Sequence, residues 1–282
     1  MRVLFCTDGS ELSFNALKNF AIWQKDATVD VFCSIDYSFL PDTFALEIAE
    51  FEVSCANIAS AIFNITEEEI TNLGLNFGKN IQYCGETVSG ILDTARENQY
   101  DLILLGSNGK KGVQKWLGSV SSDVINHSKN SVYISKHANE GQKVLFATDG
   151  TLTSKPALDD AVKFLNLEGK EIYVCIVLEN PNLLFLEGSI DTNWLMKINE
   201  IQQRYAEDIL SEFKNTLSAN NLKAKEYSVL SGIPAEKIAE YAKEKGADLI
   251  ILGSRSKKGF LQTSVSKRVA ELAKSDTVIF RK

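Results

Sequence analysis

Two segments of this sequence occur twice, in the same order. RVLFCTDGS at residues 2–10 returns as KVLFATDGT at 143–151, with six of nine positions identical. DLILLGSNGKKG at 101–112 returns as DLIILGSRSKKG at 248–259, with nine of twelve identical. The separations are 141 and 147 residues, so the second copy gained about six residues between the two landmarks. Ordered matches of this kind describe a tandem duplication, and one copy's fold must serve for both. The sequence predicts two like domains, residues 1–138 and 142–282, with the break in the polar stretch Lys136–Gln142.

Within one copy, apolar runs of strand length alternate with helical periodicity. Arg2–Thr7 reads as a strand, and Asp8-Gly9-Ser10 is turn chemistry with Ser10 placed to cap the next helix. Leu12, Ala16, Leu17, Phe20 and Ala21 share one face of that helix, as Ala157, Leu158, Ala161, Val162 and Leu165 do in the second copy. Thr28–Ile35 reads as strand two. A long helix is expected from Thr43 to about Leu73, interrupted near Ser54–Asn57. Asn80–Cys84 reads as a short third strand, Glu86–Asn98 as a helix with Val88, Ile91, Leu92 and Ala95 inward, and Asp101–Leu105 as strand four. A helix over Ser119–Ser128 and a fifth strand, Ser131–Ser135, complete the copy. The alternation predicts an α/β fold: two tandem doubly wound domains, each a five-stranded parallel sheet with helices on both faces. Ligands of such sheets sit outside the carboxyl ends of the strands, where the strand order reverses. Strands one and four end at Asp8 and Gly106, so if they are neighbours these residues face one cleft. The alternative reading of Asp8 is a plain turn residue, and its recurrence as Asp149 fits both readings.

The segment after strand four carries the candidate chemistry. Gly106, Gly109 and Gly112 punctuate a loop with Lys110, Lys111 and Lys115, and Gly118 and Ser119 open the helix beyond it. Ser119, Ser121 and Ser122 offer hydroxyls where a capping side chain belongs. Free N–H groups and the positive end of the helix dipole suit an anion, and glycines let it approach the backbone closely. The bland alternative is an ordinary surface loop with solvated lysines. The spacing matches neither GxxxxGK[ST] nor GxGxxG.

Charge and composition exclude several classes. A net charge of −7 and a pI near 5.1 argue against a general nucleic-acid binder. The start MRVLFCTDGS lacks the pattern of a secretory signal, and no apolar run approaches a membrane span, so a cytoplasmic protein is expected. The five cysteines form no CxxC pair and read as small buried residues in a reducing compartment. Two histidines, His127 and His137, are too few to suggest a zinc site, and no metal-binding residues are assigned.

VLFCTDGS at strand one and GSNGKKGVQKWLGSVS after strand four resemble the universal stress proteins in their tandem two-domain form, and the resemblance covers nearly the whole chain. It implies a strand order of 3-2-1-4-5 and pairing through strand five, which a tandem chain can satisfy between its own halves or between chains. It also implies an adenine nucleotide, ATP with or without magnesium, in the N-terminal domain. Asp8 would contact the ribose or a phosphate-bound metal, and Ser34 would hold the adenine through its backbone. Gly106 and Gly109 would let the loop wrap ribose and phosphates, and Gly118, Ser119, Val120 and Ser121 would hold the phosphates. The family pattern has nine residues between the second Gly and the Gly-Ser pair, whereas this chain has eight.

The second copy departs further. Ser256 stands where Gly109 stood, and Gln262-Thr263 precede Ser264-Val265-Ser266 in a loop two residues shorter, so the second site is expected to be degenerate. The leading functional reading is a cytoplasmic stress or regulatory protein that binds an adenine nucleotide and acts through a protein partner. The alternative is an interaction module of the same fold that binds no nucleotide. No nucleophile or base with a positioned partner is evident, so beyond slow hydrolysis of bound ATP no enzyme activity is assigned.

Overall fold

The computed structural model describes residues 1–24, 26–36, 48–107, 117–150, 154–179, 192–254 and 265–281. In the first half, β1 (Arg2–Cys6), α1 (Glu11–Trp23), β2 (Thr28–Ile35), α2 (Ile48–Asn72), β3 (Asn76–Cys84), α3 (Thr87–Glu97), β4 (Leu102–Gly106), α4 (Ser119–His127) and β5 (Ser131–Ser135) follow one another. The second half repeats the series as β6 (Lys143–Thr148), α5 (Ser154–Phe164), β7 (Glu171–Leu178), α6 (Thr192–Ala219), β8 (Ala224–Ser231), α7 (Pro234–Lys245), β9 (Leu249–Ser254), α8 (Val265–Leu272) and β10 (Asp276–Arg281).

The strands form one ten-stranded sheet in the order β3-β2-β1-β4-β5-β10-β9-β6-β7-β8. Each half thus runs 3-2-1-4-5 in its own numbering. All pairings are parallel except β5 with β10, where the halves meet antiparallel with Ile134 opposite Thr277, Tyr133 opposite Val278 and Val132 opposite Ile279. These are the strands through which the resemblance implied pairing.

The central strands are apolar at consecutive positions because both faces are covered. Val3 and Phe5 join a core with α1, α2, α5 and α6, while Leu4 and Cys6 join one with α3, α4, α7 and α8. Ser10 caps α1, its Oγ accepting from Ser13 N–H at 3.2 Å. Ala16, Leu17, Phe20 and Ala21 of α1 are buried, whereas Leu12 stays at the core margin.

Three local expectations need correction. Helix α2 runs unbroken through Ser54–Asn57. That stretch contains no Gly or Pro, and the burial of Ala59, Phe63 and Ile70 holds the following turns to the core. Strand β3 begins at Asn76 rather than Asn80: Phe77 pairs with Val29 and packs against the core, while the edge position tolerates exposed Asn76, Gly78 and Lys79. Cys84 is only half-buried on that edge, although Cys6, Cys33 and Cys175 are buried.

A buried carboxylate lies at the seam. Asp276, at the start of β10, accepts hydrogen bonds from Lys136 N–H at 2.7 Å, Tyr133 OH at 2.8 Å, Asn19 Nδ2 at 2.9 Å, Asn139 Nδ2 at 3.1 Å and Ser135 Oγ at 3.2 Å. The donors come from α1, β5 and the stretch linking the halves, so one side chain of the second half gathers three parts of the first. Burial, the largest influence, pushes the Asp276 carboxyl up to about 6 against the pull of these donors.

Candidate functional site

The order around β1 places a reversal between β1 and β4. The chain leaves β1 toward β2 on one side and returns to β4 on the other. Beyond the carboxyl ends of these strands lies a cavity of about 200 Å³. Asp8, Ser34, Gly106, Val120 and Ser121 line it, and so do Thr7, Ser13, Phe32 and Thr87. Gly118 and Ser119 stand beside it at the start of α4. Gly109 and the lysines at 110, 111 and 115 lie outside the described residues.

The floor is built from short polar contacts. Asp8 Oδ1 accepts from Ser10 N–H at 3.0 Å, so Asp8 closes the turn after β1 as well as lining the cavity. Ser13 Oγ donates to Ser10 C=O at 2.8 Å, which leaves Thr7 Oγ1 to donate to Ser13 Oγ at 2.7 Å. Gly9 takes φ +71°, the left-handed region in which glycine is strongly preferred. A Cβ on Gly106 would stand 3.1 Å from Leu12 C=O, so the strand end packs directly against the first turn of α1.

Among the described residues, three helices start at this cavity, and their first N–H groups have different fates. Ser10 caps α1. Glu86 caps α3, its carboxylate accepting from Val88 N–H at 2.9 Å and Ser89 N–H at 2.7 Å; the Ser89 side chain first, and these backbone donors with it, hold the carboxyl below its usual range. Helix α4 is capped by Gly118, which provides no side-chain acceptor. The expected serine cap is therefore absent. Ser121 Oγ donates instead to Gly106 C=O at 2.7 Å, tying the helix start to the end of β4. Gly118 N–H donates to Ser107 C=O at 2.7 Å, which ties together the two ends of the intervening loop. The first turn of α4 thus keeps N–H groups with no helical acceptor beside Gly106 and Asp8.

Thr87 and Ser34 form a second polar wall. Thr87 Oγ1 donates to Ser34 Oγ at 3.2 Å, and Ser34 Oγ to Gly85 C=O at 3.4 Å. The sequence reading missed Thr87. Its signal was the aligned position of the second copy, where Pro234 follows the corresponding Gly232-Ile233.

The sequence model of the universal stress protein family matches residues 1–136 and, a second time, residues 141–281. The chain belongs to the universal stress protein family. A universal stress protein of Methanocaldococcus jannaschii is 29% identical over 146 residues, spanning 50% of this chain and 82% of that protein. One of Bacillus subtilis is 31% identical over 152 residues, spanning 49% of this chain and 98% of that protein. The crystal structure of a universal stress protein from Archaeoglobus fulgidus superposes along the whole length, with a TM-score of 0.67 at 22% identity, covering 100% of this chain and 96% of that chain. At that identity the likeness is one of fold.

The second universal stress protein unit has a smaller cavity at the same place, about 140 Å³, lined among others by Thr148, Asp149, Val177, Pro234, Leu252, Gly253 and Ser266. Val177 and Pro234 stand where the first unit has Ser34 and Thr87, so the polar wall is gone. Pro234 also occupies the first position of α7 and removes an N–H there. Ser256 and Gln262-Thr263 lie outside the described residues. Among the described residues, no helix is long and apolar enough to cross a membrane.

Proposed function

We propose that the N-terminal cleft binds ATP or a related adenine nucleotide, and that this cytoplasmic stress-response protein uses the bound state to alter contacts with a protein partner. The observation that carries the reading is the contrast among the three helix starts. Serine and glutamate side chains occupy the N-termini of α1 and α3, while α4 opens with a glycine and offers its N–H groups to an anion. Phosphates would sit on Ser119, Val120 and Ser121 N–H, with Gly106 and Gly109 allowing the chain to approach. Asp8 would face the ribose or a phosphate-bound magnesium ion, and Ser34 the base. The C-terminal cleft lacks the hydroxyl wall, so we expect one nucleotide per chain and a C-terminal half that acts as structural partner. Native mass spectrometry of the full chain at saturating ATP reads the stoichiometry. Two equally tight nucleotides would refute the asymmetry, and none would favour a ligand-independent interaction module.

A further inference from the structure

Helix α4 is tied to its own half at one end and held by the other half at the other. Arg281, the last residue of β10, lies in the second half. Its Nη1 donates to Ser128 C=O and its Nη2 to Ile125 C=O, both at the carboxyl end of α4. Its backbone N–H donates to Ser131 Oγ at 3.2 Å. The last carbonyls of a helix lack internal donors and form the negative end of its dipole, so a guanidinium there both satisfies and stabilises them. Burial draws the Arg281 pKa down to about 10, which leaves it cationic at neutral pH. At the other end, Ser121 Oγ fixes the first turn of α4 to Gly106. With nine residues, α4 is about 13 Å long, so a shift at the Arg281 end is delivered almost whole to the N–H groups at the cleft.

The arrangement is not reciprocal. Gly106 pairs with Ser135 and Gly253 with Phe280, so Lys136 follows β5 as Arg281 follows Phe280. Lys136 is the more buried of the two, but the charges acting on it are Asp276 and Glu271, and among the described residues its ammonium holds no carbonyl of α8. The helix with the open glycine start is the one gripped from across the seam.

We infer that Arg281 is a positioning residue for the N-terminal cleft: through it the C-terminal half fixes where the α4 N-terminus lies and thereby sets the affinity for phosphate. This rests on the nucleotide reading above. An arginine fork spans two carbonyls, whereas a lysine supplies charge at a single point, so the two are not equivalent here.

The test is calorimetric titration of full-length parent, Arg281→Met and Arg281→Lys with ATP and, separately, with adenosine. Adenosine lacks the groups that would meet α4. Arg281→Met is expected to weaken ATP binding by about tenfold while changing adenosine binding by less than about twofold, and Arg281→Lys to recover part of the loss. Ligand-free melting curves show the folded fraction of each. A merely structural role would lower both ligands by a common factor. Unchanged ATP affinity, or equal losses for ATP and adenosine, overturns the inference. A parent that binds neither ligand removes the cleft reading itself, and this inference with it.

Discussion

Replacing Ser119 by aspartate separates the stability of α4 from its use as a phosphate cradle. Ser119 is the first residue of the helix, exposed, and follows a glycine cap with no side-chain acceptor. A carboxylate there meets the positive end of the helix dipole and stabilises the ligand-free fold by about 0.3–1 kcal/mol. The same carboxylate competes with a phosphate for the same N–H groups. At a separation of about 5 Å and an effective dielectric of about 40, each phosphate charge is repelled by about 1.7 kcal/mol. That corresponds to a loss of about fifteenfold in affinity, and more for a doubly charged terminal phosphate. The assay is calorimetric titration of Ser119→Asp and Ser119→Asn with ATP at low and at about 0.5 M salt, alongside thermal melts. We expect a melting temperature equal to or above the parent's, a loss of ATP affinity for Ser119→Asp that salt reduces, and near-parent binding for Ser119→Asn. Parent-like ATP binding by Ser119→Asp would show that phosphates do not lie on α4.

Three further outcomes follow from the structure. The Asp276 carboxyl is raised from 3.8 to about 6, so its protonation stabilises the fold fully below about 4, and that contribution, about 3 kcal/mol, is lost as pH rises through about 6. The stability gap between parent and Asp276→Asn, read by urea unfolding from pH 4 to 7, should therefore narrow; a flat or widening gap would mean that the donors around the carboxylate outweigh its burial. Tyr100→Phe removes the hydroxyl that donates to buried Asp30, leaving Lys79 N–H and Arg2 Nη2, and should cost about 1–3 kcal/mol in chemical denaturation. Gly9→Ala puts a Cβ 2.9 Å from Ile62 Cγ1 at φ +71° and should cost about 1–2 kcal/mol; a neutral result would place the turn in another conformation.

The repeat made the two-domain α/β plan legible, because a duplicated β-α alternation leaves few topologies open. Which strands join the halves followed from the family resemblance rather than from periodicity. The β3 start and the continuity of α2 were hidden because pairing with β2 and packing against the core act there together with local propensity. At the cleft, Asp8 and Gly106 were legible as strand ends, while Thr87 and the Glu86 cap were not. Serines at a helix start suggest a cap, yet only geometry shows that Ser121 turns to Gly106. Arg281 belongs to no sequence motif, since its contacts lie about 150 residues away in the chain.

The antiparallel join of β5 to β10 brings together two copies that a seven-residue stretch, 136–142, already connects. For separate chains such a join would depend on protein concentration and would bring like with like. Connected in this way, each copy meets its counterpart at an effective concentration in the millimolar range or above, however dilute the protein. Every molecule then contains one of each copy, with no selection needed against mismatched pairs. One copy is free to lose the groups that line its cleft while its sheet continues to complete the other's.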